Sequence, residues 1–280
     1  MSVPLEQTHI YGLRINMNNI KYFDSHAHLH DERYESSIWG STEGMLNAAL
    51  EAGVCGAVNI GTNLEDAEKA IAFAEKYPYI YAAVGMYPSE SQYAGDKLDA
   101  HLYEIEKMMS HPKVVALGEI GLDYHYEDTD KEVQKYAFEA QMQIAERCNM
   151  PVVIHDRDAH GDVMDIIRKY PNVCGMLHSF SGSAEMARQL TNLGWYISFS
   201  GPVTYKNAAK VKEAAQIVPD EYLLSETDSP SLPPTPHRGE TNYPGYVAYT
   251  VRTIAELRGK SESEIAELTV NNAKRFFRIK

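Results

Sequence analysis

Cysteine is scarce in this chain, and its placement excludes two kinds of site. The 280 residues contain three cysteines, Cys55, Cys148 and Cys174. They are far apart in sequence, so the chain has neither a disulfide framework nor the Cys-x-x-Cys pairs of a thiolate zinc site. We predict that all three are small, buried apolar side chains, because free cysteine commonly packs in protein cores.

Long hydrophobic runs are also missing from the sequence. None approaches the roughly 20 apolar residues of a transmembrane helix. The N-terminal residues do not show the basic segment followed by an apolar stretch that marks a secretion signal. We therefore expect a protein with no membrane association and a cytoplasmic location by default, and we find no sign of an obligate protein partner.

The third deficit is in basic residues. Lysine and arginine number 26 against 39 aspartates and glutamates, which gives a formal net charge of −13. A protein that coats nucleic acid along its length normally carries a basic stripe, and none is visible here. Any nucleic acid must therefore be bound locally, through metal ions and a few cationic side chains. The hydrophobic fraction of 44% is ordinary for a soluble globular protein.

Strand-like and helix-like patterns alternate along the whole chain, which we read as one domain over 1–280. Residues 1–20 form an N-terminal extension that includes a short strand candidate at 9–15. Helical periodicity separates the later strand candidates, for example at 64–76 and 131–147. The eight strand candidates are 22–28, 54–61, 79–86, 114–121, 151–155, 174–179, 196–200 and 222–228.

Eight such alternations predict an α/β fold of the (β/α)8 TIM-barrel type, with function on the loops at the carboxyl ends of the strands. A doubly wound open sheet is the alternative, but the glycine-rich phosphate turn that commonly follows its first strand is missing. Two further helices, predicted at 246–258 and 262–277, should cover the barrel. Ser261 and Glu264 form a capping-box pattern at the start of the second.

Candidate metal ligands lie at the ends of the predicted strands. His26 and His28 close the first strand, and side chains at i and i+2 of a strand point to the same face. A lone His-x-His pair occurs by chance, but further ligand types end later strands at the same relative place. Core packing gives no reason for that repetition, so we predict a metal site. The later candidates are Glu119, His155, His178 and Asp228.

Short motifs spread over residues 22–277 carry a resemblance to a known family. They are FDSHAH at 23–28, GEIGLD at 118–123, IHDRDA at 154–159, HSFSG at 178–182, SGPVTYKNA at 200–208, ETDSP at 226–230, Arg238-Gly239 with Asn242, and NAKRFF at 272–277. On these motifs the chain resembles the TatD family of metal-dependent deoxyribonucleases and related hydrolases, within the amidohydrolase-like barrels.

The resemblance implies a site for two divalent metal ions. His26, His28 and Asp228 would bind one ion, His155 and His178 the other, and Glu119 would bridge them. Imidazoles mixed with carboxylates suit zinc, manganese or iron better than calcium or magnesium. We expect zinc or manganese, with magnesium as a further option. Asp228 and Glu119 are the predicted catalytic residues, with Asp228 orienting a metal-bound hydroxide and accepting its proton.

The resemblance also implies an activity, namely 3′ to 5′ exonucleolytic cleavage of phosphodiester bonds. The expected substrates are single-stranded DNA or short nucleic acid ends, with RNA as a variant. One alternative is an amidohydrolase that acts on a non-nucleotide ester, lactone or amide. A second is a non-catalytic barrel that keeps metals for stability and works as a binding module.

Four residues near the predicted site are candidates for substrate contact. Arg157 follows a predicted ligand by two positions and could bind a phosphate oxygen or form an ion pair with a neighbouring aspartate. Tyr87 stands in Gly85-Met86-Tyr87-Pro88, where relatives usually carry Gly-x-His-Pro with the histidine facing substrate. Tyr205 follows the seventh strand and could start a helix instead. Arg238 could reach a phosphate or fix its own loop.

Overall fold

The computed structural model describes residues 20–280. The strand candidate at 9–15 and all but the last residue of the predicted N-terminal extension lie outside this range.

Eight parallel strands form a single sheet whose spatial order follows the sequence order from the first to the eighth. The barrel closes where the end of the last strand meets the first: the Asp228 N–H donates to the His26 carbonyl at 2.9 Å, and the His28 N–H donates to the Ser229 carbonyl at 2.7 Å. This sequential, closed order confirms the barrel over the doubly wound sheet. The strands are β1 (Tyr22–Ala27), β2 (Val54–Gly61), β3 (Ile80–Val84), β4 (Val114–Asp123), β5 (Val152–Arg157), β6 (Gly175–Leu177), β7 (Tyr196–Phe199) and β8 (Leu223–Ser225).

Helices occupy the connections between strands and the C-terminal part of the chain. The capping box predicted at Ser261 is present, with the hydroxyl accepting from the Glu264 N–H and the Glu264 carboxylate accepting in return. No helix among the described residues has the length and apolar character needed to cross a bilayer. The α-helices are α1 (Thr42–Glu51), α2 (Leu64–Lys76), α3 (Pro88–Ala94), α4 (Leu98–Met108), α5 (Lys131–Cys148), α6 (His160–Lys169), α7 (Ala184–Asn192), α8 (Ala209–Ile217), α9 (Val247–Arg258) and α10 (Glu262–Phe276).

One cluster of buried apolar side chains draws on all eight strands, and α10 packs against it. Phe276 and Phe277 belong to this cluster, and the Phe277 ring stacks on Phe23 of β1 at 6.2 Å between centroids. A second, larger cluster contains residues of both strands and surrounding helices. The prediction that the C-terminal helices cover the barrel is therefore confirmed for α10. The strand members of the first cluster are Phe23, Val58, Ile60, Ala83, Ala116, Val153, Met176, Tyr196 and Leu224.

Five strands end earlier than the sequence pattern predicts: β8 by three residues, β3 and β6 by two, and β1 and β7 by one. β6 stops at Leu177 and β8 at Ser225, whereas the predicted strands included the polar residues that follow, up to 179 and 228. The backbone leaves the extended conformation at Ser179, with φ of 39°, and at Asp228, with φ of 55°. Such left-handed conformations are uncommon outside glycine and cluster at functional sites. The turns redirect the chain where the predicted ligands stand.

The prediction that all three cysteines are buried is wrong. Cys55 and Cys174 are exposed, and Cys148 is partly exposed. Their positions explain the difference. Cys55 lies at the start of β2, Cys174 just before β6, and Cys148 at the last residue of α5, so all three occupy element ends rather than the packed middle.

Candidate metal centre

The six predicted metal ligands converge at the carboxyl end of the barrel. They lie in or just after β1, β4, β5, β6 and β8. Because the strands are parallel and the sheet is closed, these ends meet on one face. The ligand groups found among the described residues both belong to this centre. The six residues are His26, His28, Glu119, His155, His178 and Asp228.

Four of these side chains surround one point. The Nε2 atom of His26 lies 3.4 Å from Glu119 Oε2 and 3.5 Å from Asp228 Oδ1. The Nε2 atom of His28 lies 3.9 Å and 3.6 Å from the same two oxygens. A tetrahedral ion with bonds of about 2.1 Å separates its ligand atoms by about 3.4 Å. The spacing therefore fits a divalent ion held by two imidazoles and two carboxylates.

The hydrogen bonding of His26 supports the same fit. This side chain is fully buried, and neither ring nitrogen has a hydrogen-bond partner among the described residues. Buried polar atoms are normally paired, and an orphan requires an explanation. A metal ion at Nε2 would satisfy the nitrogen that faces the carboxylates of Glu119 and Asp228.

The other two histidines gather on the second oxygen of Glu119. His155 Nδ1 and His178 Nε2 each lie 2.8 Å from Glu119 Oε1, and 3.2 Å from each other. Glu119 thus presents Oε2 to the first group of ligands and Oε1 to this second group. The second group is tighter than a bound ion requires, since its separations are those of direct hydrogen bonds.

Behind His178 lies a buried carboxylate. Glu226 Oε1 lies 3.2 Å from His178 Nδ1 and accepts the Ser179 N–H at 2.7 Å. A carboxylate on the distal nitrogen fixes the tautomer and orientation of a metal-binding imidazole. The contact with His178 assigns Glu226 this positioning role at the centre.

A second such carboxylate, Asp123, was not identified from the sequence. Its Oδ2 atom lies 3.2 Å from His155 Nε2, the nitrogen facing away from Glu119. A signal was available: Asp123 follows Glu119 by four residues on the same strand, an even spacing that places two side chains on one face. The motif alone could not show which residue of β5 it meets.

Asp24 holds the loop that carries Asp228. Its buried carboxylate accepts the Thr227 N–H at 2.9 Å and also the Thr227 hydroxyl. Burial raises the pKa of Asp24 well above its usual value, although the Thr227 hydrogen bonds oppose the shift. The contact joins β1 to the segment after β8, so both parts of the first ligand group are held together.

The electrostatics of the centre favour ionised carboxylates. Burial alone would raise the pKa of Glu119, but the imidazoles of His178, His26 and His155 outweigh burial and hold that pKa well below its usual value. The pKa of Asp228 is lowered in the same way. Conversely, burial would lower the histidine pKa values, yet the neighbouring carboxylates raise them at His28, His155 and His178.

Arg157 is exposed at the end of β5 and does not form the ion pair weighed from the sequence. Its two candidate partners are engaged elsewhere among the described residues, Asp156 with His160 and Asp158 with His125. The Arg157 guanidinium instead lies over the Tyr126 ring, 5.6 Å from its centroid. The cation is therefore available to a phosphate, and that contact stays a prediction.

The remaining predicted substrate contacts are already engaged within the protein. The Tyr87 hydroxyl donates to Asp123 Oδ2 at 2.9 Å. The Tyr205 hydroxyl donates to the Pro233 carbonyl at 2.9 Å, and the Arg238 guanidinium lies 4.1 Å from the centre of the Tyr205 ring. These last two contacts tie the loop after β7 to the proline-rich loop after β8. Phosphate binding by any of the three residues stays a prediction.

A family model described as TatD related DNase matches residues 23–278. The chain is 42% identical to the metal-dependent hydrolase YabD of Bacillus subtilis over 259 residues, which cover 92% of this chain and 99% of that protein. It is 36% identical to the metal-dependent hydrolase YcfH of Escherichia coli K12, with 91% and 95% covered.

Among solved structures, the fold is similar to that of YjjV, a TatD homolog from Escherichia coli K12. The two structures superimpose with a TM-score of 0.86 at 30% sequence identity, and the match covers 94% of this chain and 100% of the other.

Proposed function

This chain belongs to the TatD-related DNase family and is a metal-dependent hydrolase; from that premise we propose that it uses two divalent ions to hydrolyse phosphodiester bonds. The proposed substrates are single-stranded DNA or short nucleic acid ends, degraded from 3′ to 5′. The proposed ions are zinc or manganese, with magnesium as a further option.

The observation that carries the proposal is the placement of the two Glu119 oxygens. Oε2 lies among His26, His28 and Asp228, and Oε1 lies against His155 and His178. A carboxylate with one oxygen toward each of two ligand groups is suited to bridging two ions. Two bound ions would activate water at neutral pH and stabilise both the attacking and the leaving oxygen of an in-line displacement at phosphorus.

Asp228 is the proposed general base. Its lowered pKa keeps the carboxylate ionised at neutral pH, and its Oδ1 atom lies within 3.6 Å of both histidines of the first group. An ionised carboxylate in this position can orient a water molecule and accept its proton. Asp24 supports that role, because it holds the residue immediately before Asp228.

Local charge reconciles the proposed substrate with an acidic protein. Two ions of charge +2 against the ligand carboxylates of Glu119 and Asp228 would leave about +2 among the ligands themselves, and the Asp123 and Glu226 carboxylates behind His155 and His178 offset part of it. The exposed Arg157 guanidinium adds a fork of donors suited to phosphate oxygens. Attraction confined to one face favours chain ends and short strands over long duplex.

A second candidate function is hydrolysis of a non-nucleotide ester, lactone or amide by the same centre. The feature that favours it is Tyr87, at a position where the family resemblance leads us to expect a histidine. A phenol cannot bring the positive charge that a protonated imidazole offers to a phosphate. A pocket rebuilt in this way could serve a neutral substrate.

A substrate panel separates the two functions. The purified enzyme, loaded with manganese or zinc, is assayed on single-stranded DNA, single-stranded RNA, a simple aryl phosphodiester, a lactone and a cyclic amide. We expect the highest kcat/KM on DNA. A higher kcat/KM on the lactone or amide, with no cleavage of either nucleic acid, would replace the proposal with the second candidate.

A further inference from the structure

Tyr87 lies in direct contact with the second group of predicted ligands. Its phenol oxygen lies 2.9 Å from Asp123 Oδ2 and 3.1 Å from His155 Nε2. The tyrosine ring meets the His155 ring at an angle of 61°, with 4.8 Å between centroids. Its backbone is also fixed, since the Tyr87 N–H donates to the Thr62 carbonyl at 2.7 Å.

The tautomer of His155 follows from its two neighbours. Nδ1 faces Glu119 Oε1, so this nitrogen must offer a lone pair when an ion is bound beside Glu119. The ring proton then resides on Nε2, where Asp123 Oδ2 accepts it at 3.2 Å. The other Asp123 oxygen accepts the His125 N–H at 3.0 Å, which leaves the carboxylate little freedom to turn.

The hydrogen-bonding capacity of Tyr87 is used inside this group. A phenol has one proton to donate, and here it goes to Asp123 Oδ2 at 2.9 Å. The same carboxylate oxygen lies 3.2 Å from His155 Nε2, so Asp123 links the phenol to the imidazole.

We propose that Tyr87 and Asp123 are positioning residues that together hold the His155 ring with Nδ1 toward the second metal ion, and that Tyr87 does not serve as a phosphate contact. Asp123 fixes the proton on Nε2, and Tyr87 fixes Asp123 while packing against the imidazole edge. The inference rests on the proposed function in one respect: it assumes that a second ion binds beside His155 and His178. It applies whether the substrate is a nucleic acid or a small ester.

The direct test is metal affinity measured without substrate. The metal-free protein is titrated with zinc against a chromophoric chelator, and the wild type should bind two ions. Asp123→Asn should weaken one of the two sites by about 10- to 100-fold, as loss of such carboxylates commonly does. Tyr87→Phe should weaken the same site by about 2- to 10-fold, the range for one hydrogen bond. The double variant should lose less than the product of the two effects.

Tyr136→Phe is the matched control. It removes a tyrosine–aspartate hydrogen bond of 2.7 Å to Asp99, but on an exposed part of α5. Its metal affinities should equal those of the wild type. Thermal unfolding of each metal-free variant, followed by circular dichroism, shows whether a change in affinity reflects loss of fold.

The outcomes are distinct for the two proposals. Two zinc ions bound with unchanged affinity in both Tyr87→Phe and Asp123→Asn would overturn the positioning role. Unchanged metal affinity in Tyr87→Phe with a raised KM at saturating metal would assign Tyr87 to the substrate instead. A wild type that binds a single ion would contradict the two-metal function itself, before either variant is considered.

Discussion

At the scale of single residues, the second pair of histidines shows how the centre is prepared for metal. Each imidazole turns one nitrogen to Glu119 and the other to a carboxylate, Glu226 for His178 and Asp123 for His155. With anions on both sides, each ring holds a proton strongly when no ion is present. Metal binding must displace those protons, so proton release should report directly on these contacts.

The first prediction therefore concerns proton release on metal binding. The pKa values of His28, His155 and His178 are raised, so all three imidazoles hold protons at pH values where free histidine is already neutral. Adding zinc to the metal-free protein at pH 7 should release protons, and affinity should rise with pH. Calorimetry in two buffers of different ionisation enthalpy measures the release. Equal apparent enthalpies in both buffers would contradict it.

The second prediction concerns Arg157. Arg157→Ala should lower kcat/KM on single-stranded DNA by about 10-fold, because a charge-assisted hydrogen bond to phosphate is lost. Metal content should not change, since the guanidinium contacts Tyr126 rather than a ligand. The control is Arg188→Ala, which removes an exposed arginine of α7 paired with Glu185. Equal kinetics for the two variants would leave Arg157 with a packing role only.

At the scale of elements, the candidate ligands lie at the ends of the strands. This location explains which of the site residues could be predicted from the sequence. The six ligands were recognisable because each stands in or just after an apolar strand pattern, and a closed barrel brings such ends together. Asp123 was missed because its partner, His155, comes from β5. The lengths of β6 and β8 were overestimated because the polar residues up to Ser179 and Asp228 were assigned to the strands, whereas the backbone turns at these two residues.

The third prediction concerns the contact between β4 and β5. Gly121 has φ of 138°, and a Cβ atom there would lie 2.1 Å from the His155 carbonyl oxygen. Gly121→Ala should lower the free energy of unfolding by about 1–3 kcal/mol or more, because the added Cβ is strained at this backbone angle. It should also weaken metal binding, because β5 must move away from β4, the strand that carries Glu119. Urea unfolding and zinc titration measure the two effects.

The control for this variant is Gly161→Ala in α6, where an added Cβ meets no atom within 4 Å. It should be neutral or stabilising by about 0.5–1 kcal/mol, because alanine favours a helix over glycine. If Gly121→Ala and Gly161→Ala had the same stability and zinc affinity, the close approach of β4 to β5 would not govern the centre.

At the scale of the whole molecule, the charge distribution sets the class of substrate that can bind. The net charge of −13 repels a long polyanion, while the attraction predicted for the metal centre is confined to one end of the barrel. The fold and the candidate ligands could be predicted from the sequence, because strand patterns ending in ligand-type residues repeat along the chain. We predict that substrate choice depends on exposed residues such as Arg157 at the end of β5 and Arg238 in the loop after β8, whose contacts the sequence left open between phosphate and protein partners.

The fourth prediction follows from this charge distribution. With one or two phosphate contacts, the logarithm of the affinity for single-stranded DNA should fall with the logarithm of salt concentration at a slope of about −0.7 to −1.4. Affinity should not increase further once the oligonucleotide exceeds a few nucleotides. Fluorescence anisotropy with the Asp228→Asn variant measures both. A slope several times steeper, with affinity growing with length, would indicate an extended cationic track.

The central claim is that two metal ions and Asp228 together cleave nucleic acid from its 3′ end. The most direct test is digestion of a 5′-labelled single-stranded oligonucleotide with manganese, zinc or magnesium, beside a chelated sample, the Asp228→Asn variant and the exposed-site control Asp165→Asn. We predict metal-dependent products shortened one nucleotide at a time in the wild type and Asp165→Asn, and none in the chelated sample or Asp228→Asn. An intact oligonucleotide under every metal, with two ions bound per chain, would contradict the account.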